Sequence, residues 1–299
     1  MSKVALLASL CALAFAGAAH AQDSPDPKPD PKADPKVEEF RNKLRALEWV
    51  TGPRQITIGG NSTLSLPEGY VYLDQRNTAR FEELNENLSS GKEVMVAPKS
   101  LAWTAYLTFE EEGYVKDDEK IDAPAILKTL QQGTEDANDE RRRRGWPELH
   151  IAGWSIPPAY NKDTRRLEWA TLLRAQNGEA VNFFTKVLGR RGYTSIVLVS
   201  DPRDTTTAVA ALNDVLKDYH FNAGDTYAEW KPGDKVAEYG LAGLIVGGGV
   251  AAAVKTGLLK GAWKFLVAAG AAAWKFLAAG AIAVVAAIKS FFKRKPAQQ

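Results

Sequence analysis

The chain has 299 residues, of which 38 are lysine or arginine and 36 are aspartate or glutamate, so its formal net charge is only +2. Nucleic-acid binding needs a one-sided basic surface, and this balance argues against a nucleic-acid partner. The single cysteine, Cys11, lies in a segment that we expect to be removed, so disulfides and thiol catalysis are excluded in the mature protein.

The N-terminus has the three parts of a secretory signal. Lys3 gives a positive start, residues 4–16 form an apolar run, and Ala19-His20-Ala21 offers the small residues that signal peptidase requires. The apolar run is too short to span a bilayer. We therefore predict a signal peptide over residues 1–21 and a main domain that is extracytoplasmic, in the periplasm of a bacterial-type envelope.

The next segment, residues 22–36, contains five prolines separated by aspartate and lysine. Such a sequence buries no apolar surface and cannot hold a helix, so we predict an extended linker.

Residues 37–236 show the periodicities of a folded domain. Helices are predicted at residues 37–50, 78–88, 122–144 and 205–219. Strands are predicted at residues 56–58, 64–66, 70–73, 101–109, 149–154, 167–173, 181–188 and 193–199. The links between consecutive strands are too short for parallel crossovers. The predicted class is α+β, with helices packed on a meandering antiparallel sheet and a membrane helix or helical hairpin at the C-terminus.

The C-terminal tail, residues 237–292, is dominated by alanine, glycine and larger apolar residues and is followed by a basic end, residues 293–299. As one helix, residues 239–288 would extend about 75 Å at 1.5 Å per residue, against a hydrocarbon core of about 30 Å. Lysines at 255, 260 and 264 divide the tail. It forms either two spans with a basic turn, which we favour, or one span followed by a helix along the membrane surface.

Two glycines in the tail, Gly243 and Gly247, are four residues apart. This spacing favours close helix pairing in a membrane and is compatible with a homo-oligomer formed through the tail. The alternative is that glycine is merely common in such helices.

Six ordered sequence strings carry a resemblance to a known family. They are Gly113-Tyr-Val-Lys-Asp-Asp118, Gly153-Trp154 with Pro157-Pro-Ala-Tyr160, Leu167-Glu-Trp-Ala170, Leu188-Gly-Arg-Arg-Gly192, Tyr227-Ala-Glu229 and Val236-Ala-Glu-Tyr-Gly-Leu241. Together they resemble an uncharacterised bacterial family of signal-peptide-bearing, membrane-anchored proteins with a domain of unknown function. Some of its members are described as predicted regulators of amylopullulanase. The resemblance implies architecture and location, and it brings no catalytic residues.

Familiar catalytic signatures are missing from the sequence. The two histidines that follow the signal peptide, His150 and His220, have no metal-ligand spacing, and Ser155 lacks the nucleophile elbow. Gly91-Lys92 does not belong to a phosphate-binding loop. We therefore expect no cofactor, no metal and no assigned catalytic residue.

The remaining candidates are acidic and aromatic. Carboxylates cluster around Gly113-Tyr114, where a pair could hydrolyse a glycoside or bind calcium, or could simply be solvated. Aromatic residues beside glycine and proline turns either stack on a ligand or pack in the core. The residues predicted to bind a ligand or partner are Asp117, Asp118, Trp154, Tyr160, Trp169 and Arg190.

These observations favour a membrane-anchored envelope protein that binds or regulates a protein, glycan or lipid partner without catalysis. Two alternatives stay open. One is an envelope hydrolase that uses the carboxylates around the Gly113-Tyr114 turn, and the other is a subunit that organises membrane proteins through its glycine-rich tail.

The export prediction is tested with alkaline phosphatase, a reporter whose disulfides form only outside the cytoplasm. Fusion after Asp118 should give an active reporter, and the matched fusion without residues 1–21 should be inactive. Equal activity of the two fusions would contradict export by this signal.

Overall fold

The computed structural model describes residues 35–85, 89–143, 145, 147–176 and 178–247. The predicted signal peptide and residues 22–34 of the predicted linker lie outside these residues, as does the tail from residue 248 onward. The first helix begins at Pro35, so the last two residues of the predicted linker belong to the helix.

The described residues form five α-helices and eleven strands. The helices are α1 (Pro35–Arg45), α2 (Gln75–Leu84), α3 (Ala123–Arg143), α4 (Thr205–Val215) and α5 (Leu241–Val246). The strands are β1 (Val50–Thr51), β2 (Arg54–Ile58), β3 (Ser62–Leu66), β4 (Tyr70–Leu73), β5 (Val94–Pro98), β6 (Thr104–Glu110), β7 (His150–Asn161), β8 (Arg166–Ala175), β9 (Gly178–Leu188), β10 (Tyr193–Ser200) and β11 (Tyr219–Phe221).

The strands build two antiparallel sheets. The large sheet has eight strands in the order β1-β4-β5-β6-β10-β9-β8-β7, and the small sheet has three in the order β11-β3-β2. All neighbouring strands in these two sheets are antiparallel, as the short connections predict. The predicted α+β class, with helices packed on an antiparallel sheet, is confirmed.

Both faces of the large sheet are covered, and each face has its own apolar core. On the face that we call the helical face, side chains from α1, α2, α3 and α5 pack against the sheet. On the opposite face, the small sheet and α4 supply Ile58, Leu64 and Leu212 to a second core. The apolar residues of β10 alternate between the two cores, so this strand is buried throughout its length.

The predicted hairpin at residues 56–66 and the helix that starts after Asp122 are both confirmed. The Asp122 carboxylate accepts a hydrogen bond from Ala125 N (3.1 Å), which satisfies a free amide in the first turn of α3. Strands β1, β5 and β11 were not predicted, and β1 begins at Val50, the last residue of the first predicted helix. The helix predicted at residues 205–219 ends at Val215 and continues as a 3₁₀ turn to Asp218, because Tyr219 begins the edge strand of the small sheet.

The packed unit extends beyond residue 236, where the tail was predicted to begin. Tyr239, Leu241, Leu244 and Ile245 are buried on the helical face. The helix α5 has six residues and ends at Gly247, whose φ of 90° is in the left-handed region. Gly243 and Gly247 therefore do not lie on one continuous helix. In the part of the chain that the structure describes, no helix is long and apolar enough to cross a membrane.

This packing predicts that residues 237–247 stabilise the domain. A chain ending at Val236 should have a free energy of unfolding several kcal/mol below that of a chain ending at Gly247, because full burial of one large apolar side chain contributes about 1.5–3 kcal/mol. Urea denaturation of the two fragments, both starting at Val37, measures the difference. Equal free energies of unfolding would show that α5 is not part of the domain core.

Candidate functional site

Four loops meet at one end of the large sheet, which we call the loop end: residues 111–119, 160–165, 189–192 and 222–237. The strand register places them together, because Glu110 pairs with Tyr193 at the end of β6, and Arg166 pairs with both Asn161 and Val187. Five of the six strings that carry the family resemblance lie wholly or partly in these loops or next to them. These strings are far apart in the sequence, and the antiparallel register of the strands brings them to the same end of the sheet.

Backbone hydrogen bonds join the loops directly. Tyr114 N donates to Lys235 O (2.8 Å), and Ala237 N donates to Tyr114 O (2.9 Å), so these segments form a short parallel bridge. Gly113 N donates to Arg191 O (2.9 Å). Gly113 has a φ of 100°, and a Cβ at this position would lie 2.9 Å from Lys235 O. Glycine is therefore required there by both conformation and space.

Arginines hold the loop end together by pairing with aspartates. Arg190 donates to both carboxylate oxygens of Asp234 (2.7 and 2.8 Å) and to Gly224 O (3.1 Å). These hydrogen bonds lower the pKa of Asp234 to about 2. Arg191 forms the equivalent ion pair with Asp225 (2.7 Å). The predicted site residue Arg190 therefore fixes the loop of residues 222–237, and its charge is already neutralised.

A stack of aromatic rings also lies at the loop end. The rings of Trp230 and Tyr114 have centroids 5.2 Å apart, and those of Tyr114 and Tyr227 are 4.5 Å apart. The guanidinium of Arg165 lies 4.8 Å from the Tyr227 ring centroid, which makes a cation–π contact. The stack thus runs through three separate loops and ends at Trp230, one of the most exposed large apolar side chains described.

Asp117 and Tyr160, both predicted site residues, are in contact at the Arg165 end of the stack. Tyr160 donates its hydroxyl proton to Asp117 Oδ2 (2.9 Å), and Arg165 donates to the same oxygen (2.6 Å). Burial raises the pKa of Tyr160 to about 12, so the hydroxyl stays protonated as a donor. Asp117 therefore positions Arg165 beneath Tyr227.

The other predicted residues lie in different environments. Trp154 is half-buried and donates to Ala123 O (3.2 Å), where it holds the start of α3. Trp169 is 1% exposed and stacks on Phe184 in the helical-face core. Asp118 is exposed at the loop end.

The carboxylates around Gly113-Tyr114 do not share one environment. Glu110 is on the helical face, and burial raises its pKa, whereas Glu111 and Glu112 are exposed. Asp117 is held by Tyr160 and Arg165. Among the residues described, no group of three or more histidine, cysteine, aspartate or glutamate side chains could hold a metal ion.

A second candidate site, which sequence reasoning missed, lies on the helical face. Lys186 and Ser195 are directly opposite each other on β9 and β10, and their Nζ and Oγ atoms are 2.5 Å apart. The rings of Tyr193 and Trp169 lie 5.4 and 5.8 Å from Nζ. The sequence signal was a lysine in the apolar run of β9, a strand covered on both faces.

Burial lowers the pKa of Lys186 from 10.5 to about 8, although the charge of Glu110 opposes the shift. In the described part of the chain, Lys186 forms no ion pair with a carboxylate, and its amine is hydrogen-bonded to Ser195. A shift of this size means that folding destabilises the protonated amine, relative to the neutral amine, by about 3 kcal/mol.

The Lys186 pKa predicts an unusual pH dependence of stability. Between about pH 8 and 9.5 the unfolded chain keeps a proton that the folded chain progressively loses, so the free energy of unfolding should rise with pH, with a limiting slope of about 1.4 kcal/mol per pH unit. The measurement is urea denaturation of the wild type and of Lys186→Met, because the difference cancels other titrating groups. A difference that stays constant or falls over this range would contradict the lowered pKa.

The comparisons with known proteins give a family and two distant structural similarities. None of the curated proteins matches the chain in sequence. Cyanobacterial PsbP (CyanoP) from Synechocystis sp. PCC 6803 is 11% identical, with a TM-score of 0.33 over 56% of this chain and 92% of that chain. The Ran-binding protein Mog1p of Saccharomyces cerevisiae is 10% identical, with a TM-score of 0.30 over 57% of this chain and 96% of that chain. Both TM-scores are below 0.5, so neither similarity bears on the function of this chain.

The family match covers most of the sequence and includes both candidate sites. It extends over residues 50–285 and agrees with the resemblance to an uncharacterised domain family. The chain therefore belongs to the family described as "Protein of unknown function (DUF2167)".

Proposed function

We propose that the protein is a non-catalytic binding module of the bacterial cell envelope. It holds a protein partner at the loop end, and its apolar C-terminal residues anchor it to the membrane. Export and anchoring rest on the signal-like N-terminus and on the composition of the tail. The observation that carries the binding role is the exposed, pre-stacked Trp230.

Trp230 has the properties of a residue that dominates a protein interface. It is 37% exposed, and its ring is supported by Tyr114 and, through it, by Tyr227. A ring held in this way loses little conformational entropy when a partner covers it. Tryptophan, tyrosine and arginine are the residue types most enriched among interface hot spots, and the loop end presents all three together.

An exposed apolar neighbour enlarges this surface. Val236 is 39% exposed, and its backbone bridges to Tyr114, the middle residue of the stack. Trp230 and Val236 are two of the three large apolar side chains that are exposed in the described residues. Both belong to the loop that Arg190 fixes through Asp234, so the surface is rigid before a partner arrives.

The pairing of the loop-end arginines favours a protein over an anionic lipid surface or a phosphorylated ligand. Arg165, Arg190 and Arg191 are each paired with an aspartate. A polyanion would have to displace these aspartates, whereas a protein partner can cover the rings and leave the pairs intact. A glycan that stacks on Trp230 is the alternative, and the experiment below distinguishes it.

The test is site-specific photocrosslinking in native membranes. A photoreactive phenylalanine analogue at position 230 should give a discrete protein adduct, because the Trp230 ring lies at the centre of the proposed surface. The matched control is position 156, where Ile156 is 38% exposed on the edge strand β7, away from the stack. The adduct is identified by mass spectrometry.

Adducts of equal yield at positions 230 and 156, or none at position 230, would contradict the proposed surface. A glycan adduct at position 230 would keep the surface and replace the protein partner. In the full chain, Trp230→Ala should reduce copurification of the identified partner at least tenfold, whereas Ile156→Ala should leave it unchanged.

A further inference from the structure

Lys186 and Ser195 form a polar pair inside an apolar core, and the loop end does not use it. Lys186 is 5% exposed and Ser195 is 3% exposed. Their contact is set by the register of two central strands, in which Lys186 pairs with Ser195 and Ser195 with Thr108 of β6. The register therefore places the two side chains next to each other, and the hydrogen bond to Ser195 Oγ (2.5 Å) locates the amine.

Two kinds of chemistry use a buried amine beside a hydroxyl. In one, the amine removes the serine proton and the serine attacks an acyl group. In the other, the amine itself attacks a carbonyl, and the hydroxyl carries the proton between nitrogen and oxygen. Both need part of the amine to be neutral near physiological pH, and burial of Lys186, which lowers its pKa to about 8, raises the neutral fraction.

The strand position of Ser195 decides against acyl transfer. That reaction needs free backbone amides or other donors aimed at a developing oxyanion. β10 is paired on both sides, with β6 and β9 along its whole length, so its amides serve the ladder. Attack by the amine has no such requirement, because the oxygen of the adduct leaves as water.

We propose that Lys186 is a carbonyl-reactive amine that forms a Schiff base with a small, apolar aldehyde or ketone, and that Ser195 transfers the proton. The nitrogen lone pair attacks the carbonyl carbon, a C–N bond forms, and the carbonyl oxygen takes up the proton that the nitrogen releases through Ser195 Oγ. The resulting carbinolamine then forms the C=N bond and loses its hydroxyl and the remaining amine proton as water. No oxidant or reductant is required.

The surroundings favour an apolar carbonyl compound. The rings of Trp169 and Tyr193 flank the amine, and Leu167 and Leu188 lie beside it in the core. The titratable groups that face this region are Glu110 from β6, Tyr193 from β10, and Tyr239 and Glu112 from the segments that cover Tyr193. The low exposure of Lys186 limits the ligand to a small molecule.

The experiment uses the full chain in detergent with acetaldehyde as the probe and sodium cyanoborohydride to trap the imine. Peptide mapping by mass spectrometry gives the modification rate of each lysine. At pH 7.4 about a fifth of Lys186 is neutral, against about one in a thousand for a lysine with an ordinary pKa. Lys186 should therefore react at least tenfold faster than the exposed Lys92 and Lys162.

Three controls separate reactivity from structure. Unfolding in urea should abolish the advantage of Lys186, Ser195→Ala should slow its reaction at least fivefold, and Ser195→Thr should restore most of the rate. The rate of the folded wild type should level off above about pH 9, where about nine-tenths of Lys186 is neutral. A Lys186 rate no greater than that of Lys92 and Lys162, or an advantage that survives Ser195→Ala, would overturn the proposal.

Discussion

Two backbone hydrogen bonds join Tyr114 to the chain at Lys235 and Ala237. They connect segments about 120 residues apart in sequence, and the loop end depends on them. Because Tyr114 is fixed from both sides, its ring sits between Trp230 and Tyr227. The same bonds direct the following residues onto the helical face, where Tyr239 and α5 complete the core. The two hydrogen bonds of Tyr114 therefore hold both the aromatic surface and α5 in position.

Local pattern was enough to predict most of the secondary structure. The β2–β3 hairpin, the start of α3 and the four long strands β7 to β10 follow from apolar residues, turn residues and a helix cap, which are set within a few neighbouring residues. Strand β5 was missed because all but the last of its residues are buried on both faces and do not alternate. The residues of α5 were predicted to belong to a membrane span, because an apolar segment has the same composition in lipid and in a protein core.

The candidate sites were harder to predict because strand register assembles them. Asp117, Tyr160 and Arg190 were chosen from their sequence contexts, and all three lie at the loop end. Trp169, chosen by the same criterion, is buried, since its strand faces a core on both sides. Tyr114, Arg165 and Trp230 are far apart in sequence, and only the meeting of three loops makes them a stack. Lys186 gains its chemistry from a serine on the neighbouring strand, which no local pattern reveals.

The short helix α5 has a mechanical consequence for the whole molecule. The described residues end at Gly247, directly after α5, so a pulling force applied at Gly247 would act first on α5 and then on the bridge at Tyr114. The bridge is parallel, and its two hydrogen bonds use the N–H and the C=O of Tyr114. A pull along the strand would therefore strain both hydrogen bonds at the same time. A force that extracts α5 would break the bridge, release Tyr114 and dismantle the support of Trp230. A pulling force applied at Gly247 would therefore alter the aromatic surface at the loop end.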